Sequence, residues 1–242
     1  GNLDQWGVEV NNSFYRWPIF VHQAGGLLFD RIDEPTESNF NSPAGRAGLG
    51  FLTDLFVTHN IAFDIHRMWD GYKFFYAGKI GFSLVDGPSL LGSMPREVGD
   101  RFEWDVSQLP KGPDNNGTLL IMNGFQVSSQ CDDPEAAWRW VKHLISKEWM
   151  LEFMTRTGRT PSRQALLREI PRTLAYQPQH LEAVADAVLN PASMPLYLTP
   201  ILRRFGDDSA SMIMPALRGE KSVNTVLEEL DKRATVLLSE LK

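Results

Sequence analysis

Two places along the chain mark the start of a helix clearly, and the segments around them decide the fold class. At Ser42-Pro43 and again at Asp133-Pro134, a side chain able to cap free backbone N–H groups precedes a proline. Proline suits the first helical position, where its missing N–H has no partner to lose. After the first pair, Ala44, Ala47, Phe51, Leu52, Leu55 and Phe56 recur on one helical face. After the second, Ala137, Trp140, Val141, Leu144 and Ile145 do the same. Residues 79–85 are strand-like and stop at the turn Asp86-Gly87-Pro88. Further strands are predicted at 104–106, 119–122 and 125–128, the last two flanking Asn123-Gly124. Strands alternating with helices indicate an α/β class. Residues 14–21 are rich in aromatic and branched side chains and suit either a buried strand or a short helix. The connector 109–117, rich in proline and glycine, blocks regular structure. Beyond the break at Gly158-Arg159-Thr160-Pro161 the chain is mostly helical. Its last helix starts at Ser222 and carries Val223, Val226, Leu227, Leu230, Leu237, Leu238 and Leu241 on the predicted buried face.

Composition excludes several functions. With 242 residues, 43% hydrophobic and 22% charged, the chain has enough apolar material for one large or two small domains. A net charge of -6 argues against a nucleic-acid partner, because phosphate binding needs clustered Lys and Arg. No apolar run approaches the length that spans a bilayer. Cys131 is the only cysteine, so no disulfide can form within the chain.

Catalytic signatures are missing. Among His22, His59, His66, His143 and His180 no pair has the spacing of a helical zinc site. Gly78-Lys79 lacks the remainder of a phosphate loop, and no nucleophile elbow or dinucleotide fingerprint occurs. No metal, cofactor or catalytic residue is therefore expected, and the chain is read as a non-enzyme. The supply of 7 Trp, 14 Phe and 5 Tyr is mostly core material, with a minority suited to line a sugar-binding cleft.

An ordered series of short motifs carries a resemblance. It runs through Phe14-Tyr15-Arg16-Trp17-Pro18, Gly25-Gly26, Asn41-Ser42-Pro43, Phe75-Tyr76-Ala77-Gly78-Lys79-Ile80 and Asp86-Gly87-Pro88. It continues through Trp104-Asp105-Val106, Leu109-Pro110-Lys111-Gly112-Pro113, Asn123-Gly124-Phe125, Asp133-Pro134-Glu135-Ala136-Ala137-Trp138 and Thr157-Gly158-Arg159-Thr160-Pro161. Together these resemble the family-1 extracellular solute-binding proteins of bacterial ABC importers. The resemblance implies a helix-rich, periplasmic-binding-protein-like (type II) α/β second lobe, with a hinge-crossing segment of the first lobe. It places residues 1–106 and 158–242 in the second lobe, and 107–157 in the hinge connector and the segment completing the first. Most of the first lobe, and the secretion signal, would then lie outside this chain. The helix after Pro134 would lack part of its usual packing surface.

The implied function is capture of a carbohydrate for an ABC permease outside the cytoplasm. A polyamine, glycerol phosphate or peptide is the alternative cargo, a sugar-sensing input domain the alternative role, and a hydrolase the least favoured. The resemblance implies aromatic ligand contacts from Phe14 and Trp17. Asp86, Gly87 and Ser89 follow a strand end, where open α/β sheets place ligands. Maltose-binding members carry an aromatic residue near the Ser89 position, so serine here points away from a maltose-like ligand. Asn123, Gly124 and Phe125 match the hinge segment, and Arg159, Arg163, Tyr197 and Phe205 complete the implied contacts.

Overall fold

A computed structural model describes residues 5–10, 12–63, 71–84, 91–173 and 178–241. In chain order its first elements are β1 (Trp6–Glu9), α1 (Pro18–Gln23), α2 (Pro43–Phe56), α3 (Gly71–Tyr76), β2 (Ile80–Ser83) and α4 (Met94–Val98). Then follow β3 (Leu119–Leu120), α5 (Pro134–Leu144), α6 (Lys147–Thr157), α7 (Gln164–Leu167), α8 (Ile170–Thr173) and α9 (Glu182–Leu189). The last are β4 (Met194–Pro195), α10 (Leu202–Met212), α11 (Met214–Leu217) and α12 (Val223–Ser239). The chain divides into two compact units. Unit 1 is Gly1–Val85, Leu109–Leu120 and Asn190–Lys242; unit 2 is Asp86–Gln108 and Ile121–Leu189. These divisions differ from the boundaries read off the sequence: 86–106 and 158–189 fall in the unit that also holds α5 and α6.

In unit 1 the cap chemistry works as the sequence suggests. Ser42 Oγ accepts the Gly45 N–H at 3.0 Å to open α2, and Ser222 Oγ accepts the Thr225 N–H at 3.1 Å to open α12. Residues 14–21, ambiguous in sequence, form a turn followed by α1. Helix α2 turns a glycine-bearing face to α1. A methyl group at Gly48 would stand 2.5 Å from the Val21 nitrogen, so only glycine admits this approach. That approach rotates the buried face to Leu49, Leu52 and Leu55, leaving Phe51 exposed against expectation. Helix α12 buries Val226, Leu227, Leu230, Ala234, Leu237 and Leu238, while Leu241 beyond its end is exposed. Strands β1 and β2 pair in parallel, with Trp6 opposite Ile80 and Glu9 opposite Ser83. Strands β3 and β4 make a second, two-residue parallel pair.

Unit 2 is helical among its described residues. Asp133 accepts the Ala136 N–H at 2.8 Å to start α5, and Ser146 accepts the Trp149 N–H at 3.3 Å to start α6. Gly158 ends α6 in the left-handed region at φ 69°. Its backbone and that of Gly92 touch so closely that a methyl on Gly92 would lie 2.1 Å from the Thr157 carbonyl oxygen. Leu91, Met154, Leu167, Ile170, Leu181, Val184 and Ala185 form the core of this unit. Residues 104–106 and 125–128, predicted as strands, make no ladder. Trp104 and Val106 instead pack half-buried against that core.

One polar clip joins α12 to the entry of α2. The Asp231 carboxylate accepts the N–H groups of Phe40 at 2.7 Å and Asn41 at 3.0 Å. Replacing Asp231 by Ala strands both donors, and we expect a loss of about 1–3 kcal/mol in unfolding free energy. Urea denaturation of the variant checks this; an unchanged midpoint would remove the clip from the account.

Candidate functional site

Parallel α/β pairs present ligand-binding groups beyond the carboxyl ends of their strands. At that end of β1 and β2, Glu9 stands opposite Ser83. Glu9 is buried, and its Oε2 accepts the Ser83 hydroxyl at 3.3 Å. A buried carboxylate is expensive unless hydrogen-bonded, so this contact matters locally. The sequence hides Glu9 among the apolar neighbours Val8 and Val10. Asp86, Gly87 and Ser89, expected just past β2, lie outside the described residues.

The aromatic candidates of unit 1 are core residues. Phe14, Trp17 and Phe205 have no exposed surface, and Tyr197 is 2% exposed. Phe14 meets Phe205 edge-on at 5.3 Å and Trp17 edge-on at 6.0 Å. The Tyr197 hydroxyl accepts the Leu28 N–H at 2.7 Å, and burial pushes its pKa up to about 12. These four rings pack on one another, and no ring face is left for a ligand. Composition could not separate the two roles, because core and cleft use the same residue types.

The candidates of unit 2 are on its surface. Phe125 is 53% exposed, Asn123 is exposed, and Gly124 has open space where a side chain would stand. Arg159 is exposed. Arg163 is engaged: its Nε donates to the Ile145 carbonyl at 2.7 Å, closing the last turn of α5. The stretch 123–125 thus exposes an aromatic face and an amide, and Arg159 separately exposes a guanidinium, residue types able to stack on a sugar ring and bind its hydroxyls.

Two arrangements escaped the sequence because their members are far apart in it. In unit 1 a cavity of about 450 Å³ is lined by His22, Asp30, Asn39, Asp114 and Asn115, among others. In unit 2 the Asp105 carboxylate takes both the His180 backbone N–H, at 3.0 Å, and the His180 ring Nδ1. Among the described residues no group of three His, Cys, Asp or Glu side chains is arranged to hold a metal ion.

No protein-family model matches the chain, and no curated protein does. Solved structures do. An ABC substrate-binding protein from Listeria monocytogenes, in complex with cycloalternan, superposes with TM-score 0.83 at 21% identity, covering 98% of this chain. The maltose/maltodextrin-binding domain MalE from Bdellovibrio bacteriovorus, bound to maltotriose, gives 0.78 at 18% identity over 100% of the chain. The sugar-binding protein MalE from Xanthomonas citri gives 0.74 at 20% identity over 99%. This chain spans only 59%, 61% and 60% of those three structures. The fold is therefore that of ABC sugar-binding proteins, over about three fifths of their length.

The Asp105–His180 pair gives a pH prediction. The hydrogen bond that the His180 ring donates to Asp105, and then the Asp105 charge, raise the His180 pKa above 6.5. For Asp105, burial pushes the pKa up, but the hydrogen bonds from His180 and Val106 outweigh it and hold the value below 3.8. The pair contributes fully below pH 6.5 and above pH 3.8. The contribution is lost as pH rises through the raised His180 value or falls through the lowered Asp105 value. In an NMR titration, Asp105→Asn should return the His180 midpoint toward 6.5. An unmoved midpoint would exclude the contact in solution.

Proposed function

We propose that this chain is part of the substrate-binding component of an ABC importer, a protein that captures a carbohydrate outside the cytoplasm and hands it to a permease without altering it. The carrying observation is the fold: 98–100% of the chain superposes on structures described as substrate- or sugar-binding, two of them holding oligosaccharides. In this proposal unit 1 belongs to the second lobe, unit 2 contributes to the first, and the ligand is gripped by hinge closure of the lobes. Asn123, Phe125 and Arg159 are the contacts proposed for the sugar. Among the described residues no helix is long and apolar enough to cross a membrane.

A second observation supports incompleteness of the binding unit. Residues Ile121, Met122, Phe125 and Val127 are all exposed, Met122 by 80%. No hydrogen bond joins the backbone of 121–127 to any described residue. On α5 only Leu144 is buried, with Trp138 and Trp140 exposed. An apolar stretch whose backbone has no partner among the described residues, followed in sequence by an amphipathic helix with most of its surface exposed, is the state of a strand and helix without their layer. Further polypeptide, equivalent to the remaining two fifths of the matched structures, would supply it.

Titrating neutral oligosaccharides into the chain and following Phe125 by NMR tests the function. Saturable shifts weaker than about 1 µM affinity are expected, since only part of the grip is present. Glycerol phosphate and a neutral tripeptide should leave Phe125 unmoved. Shifts from either of those in place of the sugar would overturn the carbohydrate assignment, and sub-micromolar sugar binding would overturn the incompleteness.

A further inference from the structure

The cavity in unit 1 is made by three segments that converge from distant parts of the sequence. The exit of α1 brings His22 and Gly25 to Asp30, the approach to α2 brings Asn39, and the connector after Pro113 brings Asp114 and Asn115. Gly25 sits at φ +84°, with the Asp114 side chain 3.4 Å from where a Cβ would stand. The turn is therefore shaped to let the connector come close. Asp114 is held there through its backbone N–H, which donates to the Gln23 carbonyl at 2.9 Å.

The hydrogen-bond directions around this cavity share one sense. Asn39 Nδ2 donates to the Leu27 carbonyl at 3.2 Å. Asn115 Nδ2 donates to the His22 carbonyl at 2.9 Å and to Asp114 Oδ2 at 3.1 Å. His22 Nε2 lies against the Ala192 carbonyl, so that nitrogen carries a hydrogen and donates it there. Asp30 is fixed by the Glu37 N–H, the Thr36 hydroxyl and the Thr36 N–H, which hold its pKa down to about 2. Both N–H groups of the Asn115 amide and one of the two on Asn39 are thus spent on carbonyls and a carboxylate. The acceptors around the space include the exposed carboxylates of Asp30 and Asp114 and the Asn39 carbonyl oxygen. No lysine or arginine lines the space.

A wall of acceptors carrying two carboxylates favours an occupant that brings both donors and positive charge. A bare metal ion does not fit, because no three metal-ligating side chains are suitably grouped among the described residues. A cation with its own directional N–H groups does, and about 450 Å³ admits one carried on a short alkyl chain that can lie along Leu27. We propose that this cavity binds an organic cation of the guanidinium or alkylammonium class, at a site separate from the residues proposed for sugar.

Agmatine is the probe, followed at His22 and Asn39 by NMR in the 242-residue chain, with 1,4-butanediol as its uncharged counterpart. Saturable agmatine shifts are expected, weakening with salt, while butanediol gives none. Asp114→Asn preserves shape and removes a charge, and should weaken agmatine at least about tenfold. Asp54→Asn, outside the cavity, should leave it unchanged. An arginine-containing peptide distinguishes the source: shifts only with the peptide assign the cavity to a protein side chain, and shifts with agmatine assign it to a free cation. Absence of shifts from either up to about 10 mM, equal response to butanediol, or equal affinity in Asp114→Asn would each overturn the proposal. Thermal melts of the variants show whether they are folded. Because the readout is at His22 and Asn39, failure here leaves the sugar test at Phe125 untouched.

Discussion

Unit 1 depends on a nest of aromatic rings contributed by segments that the rest of the chain separates. Phe14 and Trp17 come from the turn before α1, Phe29 and Phe40 from the loop before α2, Tyr197 from the stretch after β4, and Phe205 from α10. Their rings meet at centroid distances between 5.1 Å, for Phe29 and Tyr197, and 6.3 Å, for Phe14 and Phe40. Each such pair contributes about 0.5–1.5 kcal/mol beyond the area it buries. The cluster therefore closes the unit across the long interruption formed by 121–189. Residues that are neighbours only in space hold one domain together, and the helices are laid over them.

Polar contacts then fix what the rings leave loose. The loop 28–41 has little regular structure, with an isolated antiparallel bridge between Phe29 and Ser38. It is held at one end by the Tyr197 hydroxyl on the Leu28 N–H and at the other by Asp231 on Phe40 and Asn41. Between them Asp30 gathers its own turn. Buried backbone donors must find acceptors, and here side chains from α12 and the β4 exit supply them. Trp17 is not satisfied in this way: its indole N–H is buried with no partner among the described residues, a local loss offset by the burial of the largest ring in the cluster.

What could be read from the sequence followed the range of the forces involved. Ser42-Pro43, Asp133-Pro134 and Ser222 act within one turn, and all three helices start there. The ordered motifs pointed to the fold that the solved structures share with this chain. Burial is a tertiary property, and it went astray where tertiary contacts decide. Gly48 turned α2 by bringing it against α1, exposing Phe51. Phe14 and Trp17 were equally suited by type to stack on a ligand or on each other, and only the folded chain separates these outcomes. The strand expected at 125–128 has the right residues and, among the described residues, no partner to form a ladder with. Cavity residues such as Asp114 and His22 carry no signal, since they meet only through the connector's path.

The two units differ in how far they satisfy their own chemistry. Unit 1 buries one face each of α2 and α12 and most of its aromatic supply. Unit 2 has a small core, and Ile121, Met122, Phe125, Trp138 and Trp140 stay in contact with solvent. Burying one such side chain is worth about 1.5–3 kcal/mol, so leaving five of them wet is a large fraction of a domain's net stability. That deficit is directional as well as hydrophobic, because the backbone of 121–127 also lacks partners among the described residues, and water satisfies those groups only while no layer covers them. A small molecule cannot supply a run of alternating N–H and C=O groups. The unmet demand of unit 2 is for polypeptide, whereas the acceptor-lined cavity of unit 1 calls for a donor-bearing cation, and the two requirements cannot be met by the same partner.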